Sequence, residues 1–127
     1  MERFDLFEDT VSRLNHVSKI ISIDAEALEK LKYPKSILQV TIPVRMDDGA
    51  LKMFTGYRVK HDDTKGPTKG GIRFHPTLDI EEVKMLAFLM TFKSALIGLP
   101  FGGSKGSVIL DPKALSRWEW RSEEHTS

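Results

Sequence analysis

The chain has 127 residues, 40% of them apolar, which suffices for one domain with a real core. Nineteen Lys plus Arg against eighteen Asp plus Glu leave a net charge of +1, which argues against nucleic acid or an anionic membrane as partner. There is no cysteine, the four histidines are scattered at 16, 61, 75 and 125, no run approaches the roughly 18 apolar residues of a membrane span, and MERFDLFEDT is too acidic for a signal peptide; thiol, metal and membrane roles are disfavoured and a cytoplasmic protein is expected.

In chain order, Phe7, Val11 and Leu14 recur at helical spacing, and a second short helix is expected from Asp24 as N-cap through Leu28 and Leu31 to Pro34. The period then changes. SILQVTIPVR is rich in β-branched residues, Asp48-Gly49 supplies a turn, and LKMFTGYRVKH alternates, so a β-hairpin is predicted over 36–61. After a glycine-rich segment and a short IRF strand, Asp79 and Glu82 have the spacing of a capping box and open a helix that runs to Gly98 before Pro100. Its expected buried stripe is Val83, Leu86, Ala87, Met90, Ser94 and Ile97. Another loop and a strand around SVIL follow. Ser116 and Glu119 form a second capping-box pattern, but the helix they open is too short and too polar to dock firmly. Residues 121–127, RSEEHTS, read as the translation of a sequencing adapter, so the domain is placed at 1–120 and a non-native tail at 121–127. The fold class expected is α/β, one mixed β-sheet flanked by helices.

All nine glycines lie between Gly49 and Gly106, six of them in GPTKGG at 66–71 and GGSKG at 102–106. Each cluster carries one lysine, and from Val83 to Leu110 there are three lysines and no acid. Glycine lets backbone N–H groups approach an anion and lysine adds a compact charge, so each loop is either a carboxylate or phosphate site or a turn with a solvated lysine. A phosphate-binding GxxxxGK[ST] loop is not met, because Ser104 precedes the lysine, and no GxGxxG follows a strand. Lys93 projects about 20° from Leu86 at 100° per residue and so borders the apolar face. Its stem lies along that face with the ammonium in water, or the cation is held there for an anion.

The runs GYRVKHDDTKGPTKGGIRFHP, EEVKMLAFLMTFKSAL and LPFGGSKGSVILDP, in this order and spacing, resemble the N-terminal substrate domain of the Glu/Leu/Phe/Val dehydrogenase family, most closely its glutamate-specific branch. The resemblance covers about Tyr33 to Asp111. It implies that Lys105 is the catalytic lysine that polarises the carbonyl and the attacking water. It implies that Lys93 binds the substrate α-carboxylate, and that Lys69 pairs with the γ-carboxylate in a pocket shaped by Gly70. Met90 stands where some members place a substrate-touching Gln, and it cannot hydrogen-bond strongly. A lysine crowded by two cations and screened from water suits acid–base work.

The implied reaction is oxidative deamination of L-glutamate to 2-oxoglutarate and ammonia with NAD or NADP. The cofactor and the family's catalytic aspartate belong to a C-terminal nicotinamide-binding Rossmann domain absent from this chain, so no cofactor-binding or metal-binding residue is expected here and the fragment alone is expected to be inactive. Members are usually hexamers, so a homo-oligomer is expected, with the hairpin strands as pairing edges. The alternative is a non-catalytic α/β module that binds anions or oligomerises.

Overall fold

The structure, a computed structural model, describes residues 5–124. In chain order it contains α1 (Leu6–Ile20), α2 (Ala25–Leu31), β1 (Ser36–Arg45), β2 (Leu51–Asp62), β3 (Thr68–Lys69), β4 (Ile72–His75), α3 (Ile80–Leu96), β5 (Gly102–Ile109), a 3-10 turn at Pro112–Ala114 and α4 (Arg117–Glu124). The strands form one mixed sheet, as expected. β1 and β2 make the antiparallel hairpin, β2 pairs antiparallel with β5, and β3 and β4 both pair parallel with β5.

Local chemistry sets the element ends. The Asp5 and Asp24 carboxylates accept N–H groups of the first turns of α1 and α2. Gly49 takes φ +89 in the hairpin loop, where the Asp48 carboxylate accepts the Ala50 N–H. At α3 only half of the expected capping box forms. The Asp79 side chain accepts the Glu81 N–H, while Glu82 turns to an ion pair with Arg73 instead of reaching back to the cap.

Three apolar clusters hold the layers together. Val59 of the sheet packs with Leu78, Val83 and Ala87 on the α3 side. Ile42, Val44, Phe54, Val108 and Leu110 fill the opposite face. Phe88 leaves the back of α3 to meet Phe7 and Leu14 of α1. The buried face of α3 is therefore Val83, Ala87, Phe88 and Ser94, and it differs from the expected stripe: Leu86 and Met90 are half-buried and Ile97 is 62% exposed. A helix apolar on all sides packs two ways, on the sheet and on α1, and periodicity does not separate the two.

Two further expectations are corrected. The strand read as SVIL begins at Gly102, so the second glycine cluster lies wholly in the strand and not in a loop. The terminal helix α4 does dock. Its box closes, with the Ser116 N–H on Glu119 Oε1 at 2.7 Å and the Glu119 N–H on Ser116 Oγ at 3.2 Å. Glu119 Oε2 accepts the Asp47 N–H at 3.0 Å, and Trp120 packs edge-on against Phe74 with ring centres 4.5 Å apart. The three backbone and hydroxyl donors around Glu119, first the Ser116 N–H and then that of Asp47, hold its carboxyl below the usual range. Of the tail set apart at 121–127, residues 121–124 complete α4 and 125–127 lie outside the described residues.

Candidate functional site

The glycine pairs set the geometry of the site. Thr68 and Lys69 pair with Gly102 and Gly103, and Ile72 resumes with Gly106 at the same offset. β3 and β4 are thus two halves of one strand along β5, broken only at Gly70-Gly71, which occupy the rungs opposite Ser104 and Lys105. At the break the backbones nearly touch: a Cβ on Gly70 would lie 1.6 Å from the Ser104 carbonyl oxygen. On β5 a Cβ at Gly103 would lie 2.1 Å from the Thr91 nitrogen, so α3 sits directly on the strand. These glycines are there for close approach.

Lys69 and Lys105 follow from that ladder. Gly103 faces α3, its partner Lys69 shares its face, and Lys105 is two residues on, so both lysines project from the α3 side of the sheet. Each has a glycine across the ladder, and a Cβ on Gly71 would stand 3.4 Å from Lys105 Nζ. Lys93 arrives on the last turn of α3, where a cation is favoured by the helix C-terminus. Lys93 and Lys105 line one open cleft of about 670 Å³ together with Leu86, Leu89, Met90 and Leu96. Lys69 is not among its lining residues, and its ammonium stands 5.9 Å from the centre of the Phe101 ring.

The structure therefore brings Lys93, Lys105 and Met90 together, places Lys69 and Gly70 on the adjoining strand, and leaves Lys69 at the rim. Screening from water is weaker than expected from sequence. Lys69 and Lys93 are exposed and Lys105 is half-buried, because no element of the described chain closes the cleft. Among the described residues none of the three has a carboxylate within ion-pair distance, whereas Lys35, Arg73 and Lys84 do. Unpaired cations sharing one face favour an anionic ligand that spans them.

Two residues passed over in the sequence support this site. His61, on β2, is 2% exposed, with Nε2 2.9 Å from the Leu31 carbonyl and Nδ1 2.7 Å from Thr91 Oγ1. The carbonyl can only accept, so Nε2 carries the proton and Nδ1 accepts from Thr91, the residue on which Gly103 rests. Burial pushes the imidazole below its ordinary value, against smaller opposing effects of the Leu31 carbonyl and Asp62. The alternation of Val59 and His61 along β2 was the available signal. Arg58, facing the other way, donates to Ser104 Oγ at 2.7 Å.

A nicotinamide dinucleotide does not fit the residues present. Its pyrophosphate needs a glycine-rich turn that opens a helix. Here Gly70-Gly71 lies between two strands and Gly102-Gly103 opens a strand, while the segment before α3, from Pro76 to Asp79, has no glycine. The chemistry offered by the described residues is binding and orienting an anionic substrate.

Known proteins share this fold. Residues 34–123 match the Glu/Leu/Phe/Val dehydrogenase dimerisation domain. The chain is 59% identical over 114 residues to the NADP-specific glutamate dehydrogenase of Synechocystis sp., covering 90% of this chain and 27% of that one. It is 50% identical over 119 residues to the glutamate dehydrogenase of Thermotoga maritima, covering 94% and 29%. Among solved structures, the glutamate dehydrogenase of Peptoniphilus asaccharolyticus superposes with a TM-score of 0.90 at 38% identity, covering 95% of this chain and 30% of that one. The hetero-hexameric glutamate dehydrogenase of Thermus thermophilus gives 0.90 at 38%, covering 96% and 29%. The chain thus spans less than a third of the length of these relatives. By its match over residues 34–123, the chain belongs to the Glu/Leu/Phe/Val dehydrogenase family.

Proposed function

We propose that this chain is the substrate-binding and subunit-contacting part of an NAD(P)-dependent glutamate dehydrogenase, which converts L-glutamate to 2-oxoglutarate and ammonia. The observation that carries this reading is the cleft shared by Lys93 and Lys105, with Lys69 on the same sheet face and no carboxylate beside any of them. In this reading Lys93 holds the α-carboxylate, Lys69 the γ-carboxylate beside Gly70, and Lys105 polarises the reacting carbonyl and water. Met90 lines the cleft and gives apolar contact only. NAD or NADP is held by residues outside this chain, and the full protein is a homo-hexamer. The long, half-paired β1 supports the subunit-contacting role. A cytoplasmic setting belongs to the same reading, supported by a sequence without cysteine. No helix among the described residues is long and apolar enough to cross a membrane.

The test is steady-state kinetics on the chain extended to the length of its relatives. Lys105→Ala is expected to abolish nearly all turnover while weakening substrate binding less than Lys93→Ala does, because Lys105 acts on the transition state and Lys93 on a charge present throughout. Turnover preserved in both variants with equal losses of binding overturns the assignment, and leaves the chain as an anion-binding or oligomerisation module.

A further inference from the structure

Arg58 stands on the face of the sheet away from the lysines, and the roles above do not use it. It pairs on β2 with Gly106, and its half-buried guanidinium lies across that glycine, where a Cβ would stand 3.0 Å from Nη1. Nη2 donates to Ser104 Oγ at 2.7 Å, both terminal nitrogens stand 3.4 Å from the Gly70 carbonyl oxygen, and Nη1 stands 3.4 Å from that of Gly71. Ser104 is fully buried. Among the described residues no carboxylate pairs with this arginine, and every partner of its fork lies either on β5 beside Lys105 or in the glycine break that follows Lys69.

The geometry points to Arg58 as a positioning residue that fixes the spacing of Lys69 and Lys105 from behind the sheet. The reasoning starts from the break in the ladder. Gly71 keeps one bond there, accepting the Gly106 N–H at 2.9 Å, and Gly70 accepts from the guanidinium. Two consecutive glycines are the most mobile backbone the chain can place at this point, yet Lys69 precedes them and Lys105 Nζ lies against the second. A planar guanidinium with donors in a fixed fork ties both carbonyls to the Ser104 hydroxyl, and so to the rung beside Lys105. A lysine at 58 keeps the charge and loses the fork. This inference rests on the dehydrogenase reading for its consequence, and on the contacts alone for the clamp.

Arg58→Lys and Arg58→Ala, made in this 127-residue chain, test it by amide hydrogen exchange at Gly106 and by titration with 2-oxoglutarate. For Arg58→Lys, exchange at Gly106 is expected to quicken, and 2-oxoglutarate affinity to fall, each by about tenfold, the equivalent of one charge-assisted hydrogen bond, with the amides of α1 unmoved. Millimolar methylguanidinium is expected to reverse both changes in Arg58→Ala, a rescue that general destabilisation does not give. Unchanged exchange at Gly106, or exchange quickened equally in α1, overturns the clamp, and Arg58→Lys decides this even where Arg58→Ala fails to fold. A wild-type chain extended to the length of its relatives that ignores 2-oxoglutarate overturns the dehydrogenase reading instead, and exchange at Gly106 then judges the clamp by itself.

Discussion

Charge without a partner is the feature of Lys69 with the clearest functional consequence. At the rim of the cleft Lys69 is exposed, but in the proposed reading a substrate that closes over it shuts out water, and an apolar substrate side chain leaves the cation unpaired at a cost of several kcal/mol. In the chain extended to the length of its relatives, kcat/KM for glutamate is expected to exceed that for leucine or norvaline by about a hundredfold or more, and Lys69→Leu to shrink or invert the ratio. Equal activity on both substrates in the unmutated enzyme removes Lys69 from specificity. His61 yields a different prediction. Its folded value is lowered from 6.5, so the unfolded chain takes up the proton first. The stability it contributes is complete above about pH 6.5 and is lost as pH falls through the lowered folded value. Urea unfolding midpoints are expected to drop from pH 8 to pH 5.5, and His61→Gln to flatten that part of the dependence. A dependence that His61→Gln leaves intact assigns it elsewhere. Lysines 69, 93 and 105 could be singled out because each stands in a motif, whereas His61 and Arg58 could not, since their partners lie 30 and 46 positions away.

Elements show where reading by pattern succeeds and where it stops. The hairpin, the N-cap at Asp24, and the box at Ser116 and Glu119 depend on neighbours in sequence, and strand period and cap spacing report them directly. The docking of α4 was missed because it needs the second oxygen of Glu119 to meet the Asp47 N–H, 72 positions away. The glycine clusters were half legible: composition reported freedom of the backbone, while the use made of it was contact. Gly103→Ala makes the distinction measurable. Its Cβ would fall 2.1 Å from the Thr91 backbone nitrogen, so α3 must move off β5. A loss of about 3 kcal/mol or more is expected from overpacking. At Gly49 nothing lies within 4 Å of a Cβ, and Gly49→Ala is expected to lose only the roughly 1 kcal/mol of a left-handed alanine. Thermal melts that rank the two variants equally contradict the packing role of Gly103.

For the whole molecule, the sheet has two edges, β1 at one and the broken β3–β4 strand at the other. β5 lies inside, while β1 offers a free edge of ten residues with Ile37, Leu38 and Val40 all 40% exposed or more. An edge this long and apolar invites a second copy. Sedimentation of the chain is expected to depend on concentration, and Val40→Lys to weaken self-association by about tenfold or more, since the new charge is desolvated in the pair. A monomer at all concentrations rules out β1 as a contact of this chain by itself.

The break between β3 and β4 also bears on the order of assembly. Lys69, Gly70, Met90, Lys93 and Lys105 all fall within one strand, helix and parallel strand from Thr68 to Ile109. The β1–β2 hairpin closes through a short loop, but a parallel pair gains no bond until its whole crossover has been brought round, and that entropy is spent beforehand. The lysines are therefore expected to meet late, after the hairpin has formed, with pulse-labelled amides of β1 and β2 protected before that of Gly106. Early protection of Gly106 contradicts this sequence of events. A chain stalled during refolding would then carry a formed hairpin with its three cations still scattered along an unpaired segment.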